Sequence, residues 1–194
     1  MGIMNPDTKA APDSRRSNNT TQNVAILALC TALIFVQQIV LAGLPNIELV
    51  SLLVIVYATT FRFKSLYIIY VFAILEGVFY GFHIWWISYL YVWTIWALVT
   101  IALHKIRSPI IWAVISGTFG LFFGMLCAIP YLVIGGPAMA TAHWISGIPF
   151  DLIHCVSNFF ICLILWRPLT KITSAFLKGT TNGRETIDET KADS

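Results

Sequence analysis

Gly147-Ile148-Pro149-Phe150-Asp151-Leu152-Ile153-His154-Cys155-Val156-Ser157-Asn158 lies inside the last long apolar run of the chain, which continues through Phe159-Phe160-Ile161 to Trp166. Asp151, His154 and Asn158 stand at i, i+3 and i+7, so a helix carries all three on one face. Acids and imidazoles are costly inside a bilayer, and where they occur they face a bundle interior or a wet cavity. The stripe predicts one wall of a small-molecule pocket in a helical membrane bundle. The other walls have to come from the rest of the chain.

The composition points the same way. The chain has 194 residues, 58% hydrophobic and only 11% charged, whereas soluble domains carry roughly a quarter charged residues. A soluble core of this size has no use for so much apolar surface, which makes the chain a polytopic membrane protein. It contains no G-x-x-x-x-G-K-[ST] sequence, so no P-loop binds nucleotide here. The net charge of +3 reflects basic loops and does not point to nucleic acid as a partner. Cys30, Cys127, Cys155 and Cys162 all sit in apolar segments with no C-x-x-C spacing, and they read as reduced packing residues.

Working outward, six apolar segments are expected at residues 23–42, 47–61, 65–82, 84–103, 109–134 and 138–166. The first is as long as a spanning helix needs to be, while the second is short. Gly43-Leu44-Pro45-Asn46 breaks the chain between them, with Asn46 as the expected N-cap and Glu48 in the first turn. Gly117, Gly120 and Gly124 give segment five a smooth face, and Gly135-Gly136-Pro137 turns it into segment six. All twelve Lys and Arg residues lie in the N-terminal tail, at 62–64, at 105–107, or from Arg167 onward. The positive-inside rule then puts both termini in the cytoplasm. The expected fold is an all-α membrane protein with six transmembrane helices. Residues 1–22 form a disordered cytoplasmic tail, 23–170 the transmembrane domain and 171–194 a cytoplasmic C-terminal tail.

This topology gathers polar residues toward the external side. Asn46 and Glu48 begin segment two. Glu76, Tyr80 and His83 form a stripe on segment three, Tyr131 ends segment five, and His143, Trp144, Asp151 and His154 lie on segment six. Trp85, Trp86, Tyr89, Tyr91 and Trp93 crowd the start of segment four. That is more rings than an interfacial belt requires, so some, Trp86 and Tyr89 among them, are expected to face inward. Glu76, His83, His143, Asp151 and His154 offer metal-ligand chemistry, but no H-E-x-x-H spacing accompanies them and no metal is expected. Ser88, Ser146 and Ser157 lack a G-x-S-x-G elbow. A pocket walled by rings with a few polar anchors suits a bulky, partly planar ligand. An enzyme using Asp151 and His154 is the alternative from another class. Ala25, Ala28 and Ala32 share one side of segment one, which either packs inside the bundle or docks another subunit.

Six spans in under two hundred residues, Ala28-x-x-x-Ala32, and Leu44-Pro45-Asn46-Ile47-Glu48-Leu49-Val50 together resemble the substrate-binding S component of energy-coupling factor (ECF) transporters over about residues 22–170. Gly147-Ile148-Pro149-Phe150-Asp151-Leu152-Ile153-His154 and Pro130-Tyr131 look most like the cobalamin-type branch. The resemblance implies a multi-pass subunit in the bacterial cytoplasmic membrane that is not itself an enzyme. Such a subunit binds cobalamin or a related corrinoid from outside as transported substrate, with no resident cofactor. It joins a transmembrane coupling subunit and two cytoplasmic ATPases, which use ATP to topple it so that the vitamin is released inside. Ala25, Ala28 and Ala32 would form the docking surface, and the loop around Pro45 and Asn46 would gate the site. Queuosine-like nucleosides, pantothenate and folate are the alternative cargoes.

Overall fold

The computed structural model describes residues 13–192, with side chains over residues 20–177. The described residues are mostly helical and include no strand. The helices are α1 (Asp13–Leu41), α2 (Val50–Phe61), α3 (Ser65–Tyr80), α4 (Ile84–Ala102), α5 (Pro109–Cys127) and α6 (Ile129–Ala192), with a 3₁₀ turn at Arg62–Lys64 between α2 and α3. Disorder was expected over residues 1–22. Residues 1–12 lie outside the described residues, and from Asp13 onward this stretch is helical. At the other end, α6 runs on past the expected boundary at residue 170.

Among the described residues, five helices are long and apolar enough to cross a membrane: Thr20–Leu41, Val50–Tyr80, Ile84–Ala102, Pro109–Cys127 and Ile129–Leu177. Large apolar side chains stand on the outside of the bundle, among them Val133 at 85% and Val40 at 73% exposure. Such a surface belongs in lipid rather than water, and the chain is a membrane-type helical protein.

The span Val50–Tyr80 is not one rod. Arg62 adopts φ 55° and ψ −132°, which ends α2. Cross-bundle hydrogen bonds give the directions. Trp96 Nε1 donates to Ser51 O at 2.9 Å, and Arg62 Nη1 donates to Ile101 O at 2.9 Å, so α2 and α4 run the same way. Trp86 Nε1 donates to Ala73 O at 2.7 Å, and Thr94 Oγ1 donates to Tyr70 Oη at 3.0 Å, so α3 and α4 run oppositely. α2 and α3 therefore form a hairpin about Arg62–Lys64.

α2 has 12 residues, roughly 18 Å of rise, against a hydrocarbon core of ~30 Å. It is the central element of the bundle. Val50, Leu52, Val54, Ile55, Val56 and Ala58 are each no more than 1% exposed. α1, α3, α4 and α6 all pack around it. A helix that is apolar all round is a core helix. In lipid its stability comes from close packing rather than from leaving water.

The pairing of α5 with α6 follows from the glycine face. A Cβ on Gly117 would lie 3.1 Å from Cys155 O, and one on Gly120 would lie 2.8 Å from His154 O. α5 continues through the first turns of α6 to Gly136, where φ 74° and ψ −173° interrupt the helix and Pro137 follows. The reversal falls at the expected Gly135-Gly136-Pro137. Ser108 caps α5 by accepting the Ile111 N–H, and Pro109 takes the first helical position.

Gly120→Val should force α5 and α6 apart and cost about 1–3 kcal/mol of stability. Gly147→Ala, where an added Cβ meets nothing within 4 Å, should be neutral. Thermal unfolding of the two purified variants in detergent checks this contrast.

Candidate binding site

The site is built around the entry to α2. A helix that starts among apolar neighbours leaves its leading N–H groups without water to bond. Gln37 Oε1 accepts the Leu49 N–H at 2.9 Å, and Glu48 Oε2 accepts the Ser51 N–H at 2.9 Å. The expected cap was Asn46, with Glu48 in the first turn. Instead the helix starts at Val50, and Glu48, ahead of it, does the capping. Asn46 is used differently. It sits at φ 57°, a left-handed conformation that Asn tolerates better than most residues. Its Nδ2 donates to Phe150 O at 2.8 Å, and its carbonyl accepts from Ser157 Oγ at 2.8 Å. The 42–49 loop is thus fastened to α6 at two points.

Behind the loop lies a buried polar cluster. Ser51 Oγ donates to Glu48 Oε1 at 2.6 Å, and His154 Nε2 meets the same oxygen at 3.0 Å. Asn158 Nδ2 donates to Ser51 Oγ at 3.1 Å. Glu48, Ser51, His154 and Asn158 are all buried. Hydrogen bonds of this kind satisfy buried polar groups that would be costly alone.

The three residues of the 151–158 stripe are each at most 3% exposed and share a face, but they do not share partners. Asp151 and His154, one turn apart, take different partners. Asp151 Oδ1 accepts the Gly124 N–H at 2.9 Å, because the glycine face of α5 lets the carboxylate reach a backbone N–H.

A cavity of about 250 Å³ lies under the loop, between Gln38 and Leu41 of α1, Pro45 and Asn46, and Tyr89, Trp93, Phe123, Glu48 and His154. Its aromatic wall is continuous. Ring centroids stand 5.7 Å apart for Tyr89 and Trp93, 5.6 Å for Trp93 and Phe123, and 4.9 Å for Phe123 and His154. Gln38 Oε1 and His154 Nδ1 are buried and have no hydrogen-bond partner among the described residues.

Of the expected site residues, this cavity brings together Asn46, Glu48, Tyr89 and His154. Asp151 is buried beside it against α5. Glu76 is buried on α3 at 2% exposure, and its Oε1 is unpaired among the described residues. His83, Trp86 and Tyr131 line a separate hollow of about 660 Å³ at the turn between α3 and α4. Tyr80 is exposed and packs edge-on against Phe79 at 4.8 Å. His143 stacks on Tyr131 at 4.0 Å, across the hairpin at Gly136. Trp144 lines a shallow pocket of about 190 Å³ within that hairpin. The polar groups occupy one end of the bundle in several places rather than a single hollow. Ala25, Ala28 and Ala32 are exposed and so do not serve packing within the bundle.

Gln37, Gln38, Ser51 and Phe123 were not singled out from the sequence. Adjacent amides in an otherwise apolar segment were the available signal for the first two. Among the described residues, no group of three or more His, Cys, Asp or Glu side chains is placed to hold a metal ion. Comparison with family models, with curated proteins and with solved structures returned no match.

His154→Ala should leave Glu48 buried with one partner fewer and destabilise the protein by about 3 kcal/mol. In a double-mutant cycle with Glu48→Gln, the coupling should exceed about 1 kcal/mol, read from thermal or denaturant unfolding.

Proposed function

We propose that this chain is the membrane-embedded binding subunit of a vitamin importer in the bacterial cytoplasmic membrane, of the kind that ECF S components represent. The observation that carries this reading is the roofed cavity between α1, α4, α5 and α6, with its aromatic wall and unpaired Gln38 acceptor. On this reading α2 counts as a sixth, shortened crossing, and both ends of the described chain lie in the cytoplasm with the basic loops.

The cavity speaks for a compact ligand. At about 250 Å³ it falls below the range of roughly 300–1,000 Å³ usual for drug-sized molecules. A corrinoid would require the 42–49 loop to leave α6, giving up both Asn46 bonds. With that loop in place, a ligand the size of pantothenate or a nucleoside suits the space better. Tyr89, Trp93 and Phe123 suit a planar or apolar body, and Gln38 Oε1 and Glu48 suit a ligand N–H or O–H.

Energy would come from partners. The chain has no P-loop, so ATP would be hydrolysed by two cytoplasmic ATPases acting through a transmembrane coupling subunit. The exposed Ala25, Ala28 and Ala32 face supports a docking role, because small residues let another helix approach closely. An intramembrane enzyme using Asp151 and His154 draws no support from the geometry, since Asp151 bonds Gly124 and His154 bonds Glu48.

Titrating the purified protein with a vitamin panel should identify a compact ligand that raises the unfolding temperature. Trp93→Ala should weaken its binding roughly ten- to a hundredfold, the worth of one aromatic contact with its buried area. A panel that leaves the protein unaffected would overturn the reading. Ala28→Trp or Ala32→Trp should abolish cellular uptake while ligand affinity in the purified protein stays unchanged. Normal uptake in both variants would remove the docking role.

A further inference from the structure

The opposite end of the bundle carries a further cavity of about 520 Å³. Thr59 of α2, His104 and Arg107 of the 103–108 loop, and Trp166, Thr170 and Lys171 of α6 line it. Its surroundings are cationic. Arg62, Lys64, Lys105, Arg107, Arg167 and Lys171 all belong to this end by their place in the helices. Among the described side chains the acids are Glu48, Glu76 and Asp151. Glu48 precedes Arg62 by the whole of α2, and Glu76 stands on α3 beyond Lys64 by a similar stretch, in each case roughly 20 Å of helix. Asp151 bonds Gly124, near the far end of α5.

Arg107 and Lys171 therefore meet at a cavity with no carboxylate to neutralise them among the described side chains. Arg62 is already engaged with Ile101 O at 2.9 Å, and His104 Nδ1 is held on the same carbonyl at 2.9 Å. A second observation points to a guest. Trp166 is 7% exposed, lines the cavity, and its indole Nε1 has no hydrogen-bond partner among the described residues. A buried donor left unpaired is costly, and an acceptor supplied from outside would relieve it.

The needed guest has several acceptor oxygens and a negative charge. It sits where the helices leave the hydrocarbon. A phosphate group meets all of this, because a guanidinium, an ammonium and an N–H donor can each take one of its oxygens. Basic hollows between helix ends at a membrane surface bind phospholipid headgroups by this chemistry. We infer that the cavity formed by Arg107, Trp166 and Lys171 is a phosphate-binding site, filled in the membrane by the headgroup of an anionic phospholipid. Its occupancy would fasten the 103–108 loop to α6 at the end remote from the vitamin cavity. The inference stands independently of the ligand proposed there.

The test uses full-length protein in phosphatidylcholine nanodiscs with and without phosphatidylglycerol, read by lipid retention in native mass spectrometry and by unfolding temperature. The expected result is selective retention of phosphatidylglycerol and a higher unfolding temperature in its presence. The Arg107→Gln/Lys171→Gln double variant should lose retention roughly tenfold or more, given the usual worth of a basic side chain at an anionic membrane surface. Lys105→Gln, which removes a cation at the same end outside the cavity lining, should leave retention unchanged. Inorganic phosphate that competes with the lipid would assign the site to soluble phosphate compounds; failure to compete assigns it to the headgroup. Equal retention of both lipids, equal retention by the double variant, or an equal loss in Lys105→Gln would overturn the inference.

Discussion

A helix that begins within protein and lipid has no water for its leading N–H groups, and most of this structure is arranged around meeting that demand for α2. Gln37 reaches across from α1 and Glu48 folds back from the preceding loop. Placing a carboxylate there creates a second demand, because the acid is itself buried. Ser51 meets it from α2 and His154 from α6. Asn158 then braces Ser51, and Trp96 takes the Ser51 carbonyl from α4. One polar requirement thus draws four helices to one point. α6 can come close enough only because α5 offers glycines toward it.

Periodicity made much of this legible. Asp151, His154 and Asn158 are spaced to share a helical face, and all three are buried together. Gly135-Gly136-Pro137 marks the reversal before segment six, and Gly136 has the positive φ expected of such a place. Spacing does not tell what a face looks at. His154 bonds Glu48, 106 residues away, and passes over Asp151 only one turn back. Asn46 looked like a cap by residue type, but a left-handed turn was the stronger claim on it. The aromatic crowd at the start of α4 divides between the cavity, the hollow at the α3–α4 turn and the core, a division that depends on neighbours rather than on order along the chain.

The two ends of the bundle differ in how they treat charge. At the loop end the acids are sunk into the structure, where Glu48 and one oxygen of Asp151 have named partners. At the other end the cations stand near the surface with no acid among the described side chains. Such a molecule has a preferred orientation in a membrane with an anionic inner face. The same asymmetry separates the chemistry available to guests: ring faces and a free amide oxygen on one side, basic side chains on the other.

No residue of α2 is fully exposed, and the groups that close over its entry, His154 and Asn158, lie 106 and 107 positions beyond their partners Glu48 and Ser51. During synthesis the ribosome delivers α2 long before those residues leave the exit tunnel. For that interval the segment has neither the length to lodge securely in a bilayer nor the neighbours that later enclose it. Its final seat exists only once α6 has been inserted. The enclosure of α2 is therefore complete only when α6 is in place, and a chain stopped before residue 154 holds Glu48 without its histidine.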